Sequence, residues 1–194
     1  MCYHELGHAQ LLSQYRGEGQ AIINFMFTYT RHVKFGDDFD KAFSDSQEHT
    51  DYIPDDAAVH WMITPNFRNG REMGHSNTEH DESLYQIRGY AKYADLVRLF
   101  GWETYTTFYH QENLDYMAAC PGAEHGCCLG GHRCIDRGDG LSDVDSHTLR
   151  LSIAAGEDVS ALIRFWGIHP VDLSALRREL AGLSPSVKVW CLLH

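Results

Sequence analysis

The residues of this chain best suited to chemistry stand at its start, where His4-Glu5-Leu6-Gly7-His8 forms an HExxH motif. Two imidazoles four positions apart share one face of a helix, close enough to grip a single metal ion. A glutamate between them reaches the same space without having to ligate. A zinc ion lowers the pKa of a bound water to about 7, and that carboxylate can then take the water's proton. The chemistry implied is metal-assisted hydrolysis, with His4 and His8 as ligands and Glu5 as general base.

The element that has to position these groups is a helix. Cys2, Tyr3, Leu6, Ala9, Leu11 and Leu12 supply apolar positions around the pair, Gln10 and Gln14 break them, and no proline interrupts residues 1–16. This pattern predicts a half-buried helix. Three specified letters in five also recur by chance on ordinary surface helices, and the helical context is what sets this occurrence apart. A catalytic zinc needs a third protein ligand and keeps water in the fourth position. Between His8 and Asp37 the only carboxylate is Glu18, at the start of a second helix that could pack against the first. His4, His8 and Glu18 would make a His₂Glu site.

The rest of the composition narrows the class. A chain of 194 residues with 43% hydrophobic and 12% aromatic residues is ample for one compact domain with a core. A net charge of -11 and no cluster of Lys and Arg disfavour a nucleic-acid binder. No apolar run approaches about 18 residues, so no membrane span is expected, and the start lacks the basic and apolar regions of a signal peptide. A zincin normally has a whole lobe before its HExxH helix, whereas this motif begins three residues after Met1. The sequence therefore reads as a truncated chain whose N-terminal lobe is missing.

Downstream, Ala21, Ile22, Phe25, Met26 and Tyr29 recur at helical spacing, and Gly36-Asp37-Asp38 ends that helix. Residues 37–56 read as an acidic surface connection with one short helix around Phe39 to Phe43. Asp55 or Asp56 is expected to cap the next helix, which carries Val59, Trp61, Met62 and Ile63. The stretch from Glu82 to Phe100 is the longest helical pattern, stopped by Gly101, and Trp102 to Tyr109 reads as another short helix. Helical segments follow across 146–155, 158–166 and 171–181, and Val187, Val189 and Trp190 alternate as in a strand.

Cys120, Cys127, Cys128 and Cys134 crowd a Gly-rich stretch, whereas Cys2 and Cys191 stand alone. Two disulfides are favoured over a second zinc site helped by His125 or His132, because no clean CxxC pair is present, and free thiols are the third option. Asp136, Asp139, Asp143 and Asp145 miss the EF-hand spacing and read as a solvated acidic loop. His75, His80, Arg88 and Tyr90 are available to stabilise an oxyanion, although polar loop histidines are the plainer reading for the first two. Trp61, Trp102 and Trp166 could stack on sugar rings, but their spacing favours packing at helix ends.

His4-Glu5-Leu6-Gly7-His8 followed by Gly17-Glu18 and Asn24-Phe25-Met26 resembles the enhancin and mucin-degrading metallopeptidase family. Leu96-Val97-Arg98-Leu99-Phe100-Gly101-Trp102-Glu103 resembles that family's helix ending in a Phe-Gly-Trp turn. Leu149 to Gly156, followed by Phe165-Trp166-Gly167, resembles its C-terminal helices. The resemblance covers residues 1 to about 180 in four separated segments. It implies a mainly α-helical chain: the catalytic helix and C-terminal helical lobe of a gluzincin, or thermolysin-like, metallopeptidase. The expected domain is 1–181, with an irregular Cys-rich insertion at about 118–140 and a tail at 182–194. It further implies a secreted or extracellular zinc endopeptidase acting on protein or glycoprotein substrates such as mucins, with Glu5 as base and His4, His8 and Glu18 on zinc.

One departure from the family pattern bears on the ligand set. Gluzincins commonly carry an Asp or Asn four residues after the third-ligand Glu, placed to accept a hydrogen bond from a ligand imidazole. Here Asn24 lies four residues after Gln20, not Glu18. Either Glu18 reaches the metal, helped by Gly17 and Gly19, or Gln20 stands in the ligand position and the site is degenerate. The competing functional classes are a noncatalytic protein- or glycan-binding module that keeps the fold, and a structural zinc protein. The latter would leave Glu5 idle. The oligomeric state is not legible.

Overall fold

The structure, a computed structural model, describes residues 21–46, 51–73, 90–119 and 139–189. Among them the chain is mainly α-helical, as the apolar spacing predicts, and pairing is limited to one isolated parallel bridge between Asp158 and Pro185. No described helix is long and apolar enough to cross a membrane. The chain forms two compact units. Of the described residues, the first takes those up to Arg98 together with Trp166–Ile168; the second takes Leu99–Phe165 and those from His169 onward.

In the first unit, α1 (Ala21–Tyr29) buries Ile23, Asn24, Phe25 and Thr28. Thr28 and Thr30 turn their hydroxyls back onto the carbonyls of Asn24 and Met26, at 3.4 and 3.0 Å. Such back-bonding competes with the helical ladder, and the chain widens into a π-helical turn over Thr30–Lys34. Gly36, at φ +78°, then reverses the chain where a side chain would be strained. Arg31 Nε and His32 Nδ1 reach across that reversal to Asp37 at 2.7 and 2.8 Å.

Asp38 caps α2 (Phe39–Ser44) by accepting from the amides of Asp40 and Lys41. The acidic connection is not all surface, since Ala42, Phe43 and Ser46 are buried. At α3 (Pro54–Ile63) the capping expectation fails: Ile53 occupies the cap position without a side-chain bond. Pro54 opens the helix instead, its missing N–H sparing one unsatisfied donor, and Asp55 and Asp56 sit in the first turn at the positive end of the helix. Only Trp61 of the expected apolar set is buried; Val59, Met62 and Ile63 are exposed. Thr64 caps α4 (Pro65–Arg68), accepting from the Phe67 amide while donating to the Trp61 carbonyl.

The floor of this unit is α5 (Tyr90–Phe100), buried from Tyr90 to Val97. Phe25 of α1 stacks on Tyr93 with ring centroids 5.7 Å apart and meets the Tyr90 ring edge-on at 5.8 Å. Each such pair adds about 1 kcal/mol beyond the area it buries. Arg98, near the end of α5, forms ion pairs with both Asp40 and Asp55, so α2 and α3 converge on one guanidinium.

In the second unit Gly101, at φ +87°, separates α5 from α6 (Trp102–Ala119). This helix runs far beyond the Tyr109 end expected from apolar spacing, because its later turns are held by polar contacts. Ser142 caps α7 (Asp143–Ala155) and Gly156, at φ +71°, ends it. Helices α6, α8 (Ser160–Phe165) and α9 (Leu173–Leu180) all pack on α7, and Leu149, Leu176 and Leu180 form a cluster flanked by Leu141 and Leu183. The expected strand near the end is absent: residues 187–189 make one helical turn, with the Ser186 hydroxyl accepting from the Val189 amide.

Two left-handed glycines separate conformational from packing cost. At Gly156 a Cβ would meet nothing within 4 Å, whereas at Gly167, φ +69°, it would lie 2.6 Å from the Met73 amide nitrogen and 2.8 Å from the Trp61 ring. Gly156→Ala should cost about 1 kcal/mol, the conformational penalty alone. Gly167→Ala should cost about 3 kcal/mol or more, since backbone and ring both have to move. Urea unfolding of the two variants against the parent protein checks the difference.

Candidate functional site

The motif residues His4, Glu5 and His8 and the candidates Glu18 and Gln20 lie outside the described residues, as do His75, His80, Arg88, Asp136 and the six cysteines. The described residues begin at Ala21. Helix α1 buries Asn24, the residue on which the expected ligand register turns. Below it, hydroxyls run from Thr28 to Ser46, 2.6 Å apart, and on to Tyr90, while Ser46 donates to the Phe43 carbonyl at 2.7 Å.

That chain settles the part played by Tyr90. Its hydroxyl is engaged by Ser46 and by the Phe43 carbonyl in the core, and burial pushes its pKa well up, against the pull of the bonds to Ser46 and Thr28. Tyr90 is a core residue and is not free to stabilise an oxyanion. Trp61 and Trp166, at 1% and 0% exposure, present no face to a sugar and are packing residues. The acidic-loop reading is corrected at Asp145, which is fully buried. Its carboxylate accepts from the amides of Val171 and Asp172, at 3.0 and 2.9 Å, and from the Ser142 hydroxyl at 2.9 Å. Asp139 likewise takes the Ser146 hydroxyl at 2.6 Å and the Leu141 amide at 3.0 Å. Both close a loop onto the start of α7.

Two further features escaped sequence reasoning. In the first unit the Asp95 carboxyl is buried on α5, where burial pushes it up to about 7 against the pull of the Trp166 indole, which donates to it at 2.8 Å. The signal available was a lone carboxylate in an apolar run between Ala94 and Leu96. In the second unit a groove of about 420 Å³ runs along α6 and α7, with Phe108, Leu149 and Ile153 on its apolar side. Its polar side holds Arg150 between Glu112, at 3.4 Å, and Asp115, with Asp139 nearby in the lining. Nothing in the sequence pairs Arg150 with carboxylates more than thirty residues away on another helix.

Three carboxylates against one guanidinium leave this groove net negative, suited to a cation or to neutral donors rather than to an anion. It contains neither His nor Cys. Among the described residues no group of three or more His, Cys, Asp or Glu is arranged to hold a metal. Comparison with family models, with characterised proteins and with solved structures finds no match for this chain.

The groove's guanidinium bears on stability. Glu112 is nearly inaccessible, and removing its cation leaves a buried charge with less compensation. Arg150→Met should therefore destabilise the protein by about 2 kcal/mol, a figure reduced from the fully buried case because Arg150 keeps some solvent contact. Adding Glu112→Gln should restore part of the loss. A double-mutant cycle by guanidinium unfolding measures both.

Proposed function

We propose that this protein is a zinc-dependent endopeptidase of the gluzincin type, cleaving peptide bonds in glycosylated, mucin-like proteins outside the cell. The observation that carries the reading is His4-Glu5-Leu6-Gly7-His8 with Glu18 downstream, in the company of three further segments that resemble the enhancin and mucin-degrading peptidases in the same order. The mainly helical chain is compatible with the helical lobe of such an enzyme.

The donor set fits zinc. Two imidazoles and one carboxylate are the protein ligands of a catalytic zinc that keeps a position for water. His4, His8 and Glu18 would hold the ion, and bound there it supplies a Lewis acid for the scissile carbonyl and an acidified water. The protein's own work then falls to Glu5, which accepts the proton of the attacking water and returns it to the leaving amine nitrogen.

A second reading has its own observation. Asn24 is buried on α1 four residues after Gln20, the register in which a gluzincin would place its third ligand at position 20. An amide there would weaken zinc binding, and the chain would be a protein- or glycan-binding module retaining the peptidase fold.

Zinc content per chain, measured by plasma mass spectrometry after mild chelator dialysis, separates the two. Near-stoichiometric zinc that is lost in Glu18→Ala and kept in Gln20→Ala is the expected result; no retained zinc in the folded parent protein favours the binding module. Glu5→Gln should keep the metal and lose cleavage of an O-glycosylated protein by about 10³-fold or more, the scale on which a general base contributes. Peptidase activity surviving in that variant would remove Glu5 from the mechanism.

A further inference from the structure

Among the described residues beyond Arg98, only Trp166–Ile168 belong to the first unit, although Phe165 before them and His169 after them belong to the second. The three residues are buried. The Gly167 carbonyl accepts from the Met73 amide at 3.2 Å, and its Cα lies so close to Met73 and Trp61 that no Cβ fits. The Trp166 indole N–H reaches Asp95 Oδ2 at 2.8 Å. The segment is seated as a plug, and the indole hydrogen bond at its seat ends on a carboxyl.

The cations nearest Asp95 on α5 have other partners. Arg98, one turn further along, attracts charge at Asp95 but is itself gripped by Asp40 of α2 and Asp55 of α3, and Asp55 repels charge at Asp95, while burial outweighs both. Lys92, one turn before, holds its ammonium 4.7 Å from the Tyr93 ring centre. The plug brings an indole, which donates a hydrogen bond and carries no charge. A buried carboxylate met by a single neutral donor is costly, and the same group protonated is not.

We infer that Trp166–Ile168 is a pH-sensitive plug: it stays seated while Asp95 is neutral, and ionisation of Asp95 favours states in which Trp166 withdraws and water reaches the carboxylate. The sign follows from linkage. Asp95 in the seated state holds its proton up to about 7, whereas an unseated, hydrated carboxyl loses it near 4. The seated state therefore binds more protons across that window. Its stability falls as pH rises from the ordinary carboxylate range to about 7 and is level above.

Exchange of the Met73 amide and the Trp166 indole hydrogen, followed by NMR between pH 5 and 8.5 and corrected for intrinsic rates, reads the opening directly. One proton per opening gives an opening constant that rises about tenfold per pH unit up to about pH 7 and then levels. Asp95→Asn, which still accepts from the indole, should show a flat profile. The Leu176 amide, bonded to the Asp172 carbonyl in the second unit, should not follow the wild-type slope. A flat wild-type profile, the same slope in Asp95→Asn, or an equal slope at Leu176 each overturns the inference. The carboxyl carbon shift of Asp95 in the wild-type protein gives a test that needs no variant: a midpoint below about 5 overturns it as well.

Discussion

A carboxylate inside a protein has to be met by donors or cations, and how fully each is met organises both units of this structure. Asp145 is the saturated case. Two backbone amides from the turn before α9 and the capping hydroxyl of Ser142 converge on it, so one side chain joins the start of α7 to the start of α9. Arg150 is the intermediate case, one guanidinium shared by Glu112 and Asp115, which holds the polar half of α6 against α7. Asp95 is the poorest case. It meets one indole N–H, and burial moves its proton affinity to neutrality. The apolar contacts around these groups supply most of the cohesion, but the polar contacts fix which helix faces meet.

Legibility in the sequence follows the range of the interaction that decides each feature. Helix α1, the stop at Gly36, the stop at Gly101 and the segments that became α7, α8 and α9 were readable, because apolar period and positive-φ glycines are local signals. The length of α6 was not. After Tyr109 its apolar period fades into Gln111, Glu112, Asn113 and Asp115, and what sustains the helix there is Arg150 on another element, with Gln111 bonded to Asp115 at 2.9 Å. The cap of α3 failed for a different reason. Two aspartates after a proline look like capping residues, yet the proline takes the first helical position and moves them into the first turn, where Arg98 uses one of them. A two-residue alternation near the end suggested a strand, but with no partner strand described beside it residues 187–189 close a helical turn instead.

The candidate metal centre divides along the same line. Its donor types and spacing are local and legible in residues 4–18, whereas the register of its third ligand depends on how α1 is oriented, which is a packing question. The described part of α1 fixes only its own orientation. Phe25 and Asn24 are both buried, and neighbours one residue apart on a helix point about a third of a circle apart, so α1 is enclosed over a broad arc. Thr28, one turn after Asn24, is tied through Ser46 to Tyr90. Rotation of the described part of α1 about its axis would break the aromatic stack and strand buried hydroxyls, so from Ala21 onward the helix is fixed by its own packing.

The contrast between Asp145 and Asp95 also separates what polar burial does in the two units. With three donors, two of them backbone amides, Asp145 holds a loop in place, and an apolar replacement would strand those amides. Asp95 strands little: an apolar side chain of similar size would leave one indole N–H without its acceptor and remove the need for a proton altogether. Stability alone is therefore a poor reason for a carboxyl at that position. What a carboxyl adds there, and an apolar residue cannot, is a dependence of the Trp166 seat on proton concentration close to neutrality.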